Sequence, residues 1–361
     1  MSSVYLGIPL AVRSDLAVRG VRTATAVRRG PGAGPSDDGH LVVDGVNVAL
    51  PIDPGSPYVL RDGRILQESG AGERDLGIVA EPVIRPRFYD LATADGVPYQ
   101  QIALLHGADV LASTVVQTCI RYAESERCRF CAIEESLRAG STVAAKTPEQ
   151  LAEVAAAAVL LDGVRQMVLT TGTTAGPDRG ARHLARCVRA IHRAVPGLPI
   201  QVQIEPPGDL AVIDELHAAG ATAIGIHVES LDESARRAWM PGKGSVPMAE
   251  YEAAWDEAVR VFGRNRVSTY LLIGLGEDPD ELVAGAAGLI ERGVYPFVVP
   301  LRVLPGTLAD RDGASGPAPE VVAEVTARVA GLLRAAEMSG ADQGAGCAAC
   351  GACSALPAAG G

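Results

Sequence analysis

The chain has 361 residues and a mass of 37.3 kDa, room for two or three domains or one large one with an extension. Its net charge of −11 argues against a dedicated nucleic-acid binder, which carries a basic footprint. No run of 18 apolar residues occurs, so no membrane-spanning helix is expected.

Residues 1–110 carry three Asp-Gly dipeptides between β-like runs: Asp44-Gly45, Asp62-Gly63 and Asp95-Gly96. Each reads as a hairpin turn, so a small, mostly antiparallel β region is expected here. The Gly/Pro-rich stretch 28–40 lacks Gly-Lys-Ser/Thr, so it reads as a flexible or covering loop rather than a phosphate loop. The first residues show no basic segment followed by an apolar one, so no secretory leader is expected, and the cytoplasm is the default location.

From about residue 113 strands and helices alternate. A β-branched run, 113–119, ends at Cys119. A helix follows, with Thr147 as N-cap and Pro148 in its first position. Further strands are expected at 164–172, 199–207, 221–230, 267–277 and 294–303, with helices between them. Regular alternation implies parallel strands covered by helices, as a doubly wound sheet or an incomplete barrel. In both, the site lies at the C-terminal strand ends. There stand Cys119, Thr171-Gly172-Thr173, Glu205, Glu229 and Gly274-Leu275-Gly276-Glu277. A last helix, 318–338, leads into the tail. The expected division is 1–110, a core of 111–310, and a tail of 311–361.

Six of the seven cysteines fall in two trios, Cys119, Cys128, Cys131 and Cys347, Cys350, Cys353. Such short spacing in a large chain expected in the cytoplasm reads as metal binding rather than disulfides. Structural zinc takes four ligands, and no His completes either trio. A cubane iron–sulfur cluster fits better, with one iron left open to a ligand from outside the chain. The bland reading of the tail trio is a disordered zinc scavenger. Cys187 lies mid-helix on an apolar stripe and reads as a buried core thiol.

In this order the motifs resemble the radical S-adenosylmethionine (SAM) superfamily, over about residues 110–310. The first gap of the cysteine loop is eight residues where three is usual. Phe130 stands before the last cysteine, where the family places an aromatic against adenine. Thr171, Gly172 and Thr173 resemble the segment that holds the methionine amino group, without its acidic residue. His227–Glu233 is similar to a ribose-contacting strand end, with Glu229 and Asp232 as candidates. Tyr270–Glu277 looks like the adenine strand, with Gly274 and Glu277 in place, and 300–307 is similar to the sixth-strand end of biotin-synthase-like members. The resemblance implies a partial (βα)6 barrel of parallel strands, an α/β fold. It implies a 4Fe–4S cluster that donates one electron to SAM, and a radical that takes hydrogen from a small-molecule substrate. It also implies a flavodoxin- or ferredoxin-like electron donor.

Lys243 is a candidate for the SAM carboxylate, with Arg236 and Arg237 as alternatives. Its bland reading is a solvated loop charge, and Asp232 could equally cap a helix. Glu205, the candidate catalytic residue, could contact substrate or pair with an Arg. His227 reads as packing. The whole chain resembles a bacterial subgroup encoded beside a nitrilase, an acetyltransferase and a flavoprotein, whose tail implies an auxiliary cluster. Two other classes compete: a two-cluster electron-transfer protein, and a zinc-stabilised barrel with aldolase-like chemistry. The last would want a lysine at a strand end, where neither Lys146 nor Lys243 stands.

Overall fold

The computed structural model describes residues 8–23, 40–43, 46–70 and 72–360. The stretch 28–39 and the Asp44-Gly45 turn lie outside the described residues.

The core is a seven-stranded sheet. Six of its strands are parallel and stand in chain order: β1 (Val110–Thr114), β2 (Gln166–Thr170), β3 (Ile200–Ile204), β4 (Ala223–Ile226), β5 (Val267–Ile273) and β6 (Val294–Pro300). A seventh, Leu104–His106, pairs antiparallel to β1 at the edge. Crossovers between parallel strands are right-handed. Because the order never reverses, every crossover helix is laid on the same face, and the sheet curls around the other. The result is the expected partial barrel rather than a doubly wound sheet, open because β1 and β6 do not pair.

The helices are α1 (Pro148–Asp162), α2 (Ala181–Ala194), α3 (Ala211–Ala218), α4 (Met248–Phe262), α5 (Pro279–Arg292) and α6 (Pro319–Ala335). Thr147 caps α1 as expected. Its hydroxyl accepts from Gln150 N at 3.2 Å, and the Gln150 side chain accepts from Thr147 N at 3.0 Å. The outward residues of the strands, among them Leu111, Met167, Val202, Ile224 and Val267, are buried against the helices. Cys187 packs against them from α2, fully buried, and burial pushes its thiol up to about 12.

β1 differs from the expected strand. It ends at Thr114, five positions before Cys119, because the chain leaves the sheet there. Val116 bridges to Ala145, and Gln117 N donates to Ala144 O at 2.8 Å. Cys119 therefore sits in a loop beyond the strand end.

The N-terminal residues form a second, six-stranded sheet that is antiparallel except for Arg22–Thr23 on Tyr58–Arg61. The Asp62-Gly63 hairpin is as expected: Arg61 pairs with Arg64, and φ is 49° and 72° at the two turn residues. Asp95-Gly96 closes a smaller turn with one antiparallel bridge, Ala92 to Pro98. A helix, Leu10–Arg19, also belongs to this region, although no strong apolar periodicity announced it. Among the described residues, no helix is long and apolar enough to cross a membrane.

Candidate active site

The inward positions of the strands are unusual. A small barrel is ordinarily filled by branched apolar side chains. Here Gln201 and Gln203 project from β3, Ser268 and Tyr270 from β5, and Thr170 from β2. Gln203, Tyr270 and Thr170 line a cavity of about 300 Å³. Gln201 and Gln203 are buried and bonded to each other at 3.1 Å, and Gln201 also donates to Ser268 Oγ at 3.2 Å. Buried amides at this density cost stability unless partnered, so they mark a site. The alternation in Gln201-Val202-Gln203 was the signal for it. Continuous apolar runs are the norm for parallel strands.

At the C-terminal ends of the strands lies the first cysteine trio. Cys128 interacts electrostatically with Cys131, Cys119, Lys243 and Glu229, so the three thiols share one neighbourhood with that ion pair. Burial raises Cys128 well above the usual thiol range and pushes Cys131 up to about 11. Among the described residues, no three His, Cys, Asp or Glu side chains converge to hold a single metal ion. In a cubane each thiolate takes a different iron, so such ligands need not converge on one point. The set offers three sulfurs and a cation, and it fits that cluster better than a zinc ion.

The cysteine loop is held by three backbone bonds. Ile120 N donates to Thr173 O at 3.0 Å, Gly242 N to Glu126 O at 2.8 Å, and Arg129 N to Trp239 O at 2.7 Å. Gly172 packs so closely that a Cβ there would stand 2.0 Å from Thr118 O. This brings Thr171-Gly172-Thr173 against the cysteine loop.

Glu205 is buried and fully engaged. Arg121 Nη2 donates to its Oε1 at 2.6 Å and Thr173 Oγ1 to its Oε2 at 2.7 Å. Burial would raise its carboxyl, but Arg121 and Thr173 outweigh that and hold it below the usual range. The pairing with an Arg is thus the arrangement found, and it ties the cysteine loop to β3.

Lys243 is no solvated loop charge. It is bonded to Glu229 Oε2 with both side chains largely buried. Burial alone would lower its ammonium; Glu229, Tyr251 and Cys128 outweigh burial and keep it charged. Glu229 has φ of 61°, a strained value for a non-glycine residue at a strand end. Of the alternatives, Arg236 is buried and donates to Val246 O at 2.6 Å, while Arg237 pairs with Glu233 on the surface.

Asp232 and Glu277 are not brought to this group. Both line a separate cleft of about 210 Å³ with Leu271 and Leu282, on the helix side of the sheet. Asp232 caps the helix Glu233–Trp239 by accepting from Ala235 N at 2.6 Å. Glu277 Oε2 is buried without a partner, and burial raises its carboxyl. Gly274 has φ of 110° in the turn just after β5.

Phe130 faces a neighbouring cavity of about 190 Å³ with Tyr270, Leu272 and Cys353. The second trio is therefore not a loose tail. Cys347 and Cys353 line the barrel cavity. Gly346 N donates to Gln166 Oε1 at 2.8 Å and Cys347 N to Gln201 Oε1 at 3.3 Å, at the starts of β2 and β3. A Cβ on Gly346 would lie 2.2 Å from the Gln201 side chain. Gln203 Nε2 donates to Cys347 Sγ at 3.3 Å, and the Tyr270 hydroxyl also bonds Cys347. The N-terminal region holds this tail: Arg13 Nη2 donates to Ala352 O at 2.7 Å and to Ser354 O at 3.0 Å, and Ala49 N donates to Ala352 O at 3.0 Å.

Two residues escaped the sequence reading. His227 points into the barrel, its ring 4.3 Å from that of Tyr270. Its Nδ1 accepts from Tyr270 N at 3.2 Å, which leaves Nε2 as a buried donor without a partner. Burial brings its imidazolium down to about 3, so it is neutral. Lys146, which stands at no strand end, nevertheless lines the barrel cavity.

Residues 125–286 match the sequence model of the Radical SAM superfamily. The chain is 31% identical over 173 residues to lipoyl synthase of Thermus thermophilus, covering 46% of this chain and 50% of that protein. It is 25% identical over 258 residues to bacteriochlorophyllide c C-7(1)-hydroxylase of Chlorobaculum limnaeum, covering 66% and 63%. Thus the chain spans between half and two thirds of the length of these two relatives. Among solved structures it is similar to methylornithine synthase, with TM-score 0.49, 14% identity and coverage of 70% and 72%.

Proposed function

We propose, from the match of residues 125–286 to the Radical SAM superfamily model, that the chain cleaves SAM reductively and takes a hydrogen atom from a small molecule held in the barrel. One observation carries the reading: Cys347 and Cys353 of the second trio line the polar barrel cavity, and Phe130, beside Cys131 of the first trio, shares a neighbouring cavity with Cys353. When bound, a 4Fe–4S cluster with SAM supplies one-electron cleavage of the sulfonium and hydrogen abstraction.

Cys119, Cys128 and Cys131 would hold that cluster and leave one iron for SAM. Thr171, Gly172 and Thr173 lie against the cysteine loop, where backbone groups can take the SAM amino group. Lys243 is charged and placed to receive the SAM carboxylate by exchange with Glu229, which is then free for the amino group or the ribose. Phe130 and Leu272 offer an apolar wall for adenine, with Gly274 in the turn beyond. Asp232 and Glu277 support these strand ends from the far side of the sheet. Glu205 is a positioning residue: it fixes Arg121 and with it the cysteine loop.

Cys347, Cys350 and Cys353 would hold a second cluster facing the substrate. Its thiols are raised by burial, Cys347 to about 11, so metal must displace their protons. Its open iron could anchor the substrate or a sulfur donated to it. We place the reaction in the reducing cytoplasm, where clustered thiols stay free as ligands, with a flavodoxin- or ferredoxin-like protein as donor. Residues 1–110 we take as the unit that seals the tail, and 111–310 as the catalytic core. The test is iron counting after anaerobic reconstitution: about eight irons per chain are expected, and about four after the tail cysteines are changed to Ala. About four irons in the unaltered protein would contradict the second cluster.

A further inference from the structure

Among the described residues, Lys146 is the one lysine or arginine in the wall of the barrel cavity, where His106 also stands. Lys146 is 2% exposed, and its backbone is fixed by bonds from its N to Val115 O at 2.9 Å and between its O and His183 Nε2 at 2.9 Å. Its Nζ donates to Thr142 Oγ1 at 2.6 Å and to Gln117 Oε1 at 3.1 Å. Both acceptors are neutral, and an ammonium has a third proton to give. Among the described residues, no Asp or Glu lines this cavity, although the chain holds 43 of them. The contrast with Lys243 is direct, since that lysine has Glu229 beside it.

A buried ammonium without a counter-charge is costly, and its ordinary fate is to lose its proton. Burial lowers Lys146 to about 7, so it is poised between both forms and an arriving anion would favour the charged one. A fold needing only to fill this position would do better with an apolar or amide side chain. No carboxylate of the described wall completes Lys146, so an anion that enters the cavity can.

We propose that the substrate is a compact acid whose single carboxylate is received by Lys146, with Gln117 and Thr142 orienting the ammonium. The proposal rests on the reading of this cavity as the substrate site. The described wall offers one cation, which suits a monoanion; a phosphate dianion calls for several charges or a nest of backbone N–H groups. A volume of about 300 Å³ suits a molecule the size of an amino acid or short-chain acid, not a peptide. Thr170, Gln203 and Tyr270 offer hydrogen bonds to its remainder.

The test uses straight-chain acids from acetate to hexanoate and the matching amides, titrated calorimetrically into the reconstituted protein. The best acid should bind at least ten-fold tighter than its amide. Lys146→Met should lose that preference, and Lys146→Arg should retain part of it. Should Lys146→Met not fold, the acid–amide comparison in the unaltered protein decides alone. Equal affinity for acid and amide, or an unchanged preference in Lys146→Met, overturns the proposal. Cys128→Ala should keep the acid preference while SAM cleavage is lost. Failure of the radical reading would instead appear as absent SAM cleavage in the unaltered protein, so the two failures are told apart.

Discussion

At the scale of single residues, Gly172 is the tightest point beneath the first trio. Changing it to Ala forces a Cβ to within 2.0 Å of Thr118 O, so the cysteine loop must move. Gly172→Ala should cost about 1–3 kcal/mol in urea unfolding and lower the iron held by the first trio. An unchanged midpoint with full iron would contradict this packing. Glu205→Gln leaves Arg121 without its buried anion and should cost about 3 kcal/mol at pH 7. The folded carboxyl is held below its ordinary value, so its stabilisation is complete above the unfolded value of about 4.3 and fades as pH falls through the folded one. The gap between the two proteins should close in acid; a gap constant down to pH 2 would contradict the pairing. Lys146 has the same sign in a higher pH window. Its folded value is about 7, so between there and its unfolded value near 10.4 the unfolded chain binds more protons and stability rises with pH. Lys146→Met should lack that rise, read as the difference between the two melting curves.

At the scale of elements, the strands and helices were largely legible because each carries its own punctuation. Thr147 and Pro148 open α1, and φ is positive at Gly163 beyond its end. Glu205 and Glu229 were visible as strand-end carboxylates and an Arg was an expected alternative partner for Glu205, but neither which Arg nor the Lys243 pair of Glu229 was legible, because Arg121 and Lys243 come from distant loops. Asp232 and Glu277 were grouped with the cysteines because they also follow strands. The pleat sends Leu271 outward, and their cleft opens on its side. The end of β1 was misplaced because β-branched residues continue past Thr114 while the chain already pairs elsewhere. The tail's docking was illegible, since it depends on long-range bonds from Arg13 and Gln166. Arg13→Ala should therefore loosen the tail, with a loss of about 2 kcal/mol and faster alkylation of Cys353 in the iron-free protein. Alkylation at the unaltered rate would show that Arg13 does not hold it.

At the scale of the whole molecule, the helix that carries Arg13 and the Cys347–Cys353 tail pack together against the barrel, and the first cysteine loop stands beyond the C-terminal ends of its strands. The parallel order of strands follows from local periodicity. The polar interior follows from period-two alternation within β2, β3 and β5. The nearness of Cys353 to Phe130, beside the first trio, follows only from the curl of the sheet. The most direct test of the account is incubation of the anaerobically reconstituted protein with SAM and dithionite. It predicts methionine and 5′-deoxyadenosine in equal amounts, lost in Cys128→Ala. Full iron loading with SAM left intact would contradict it.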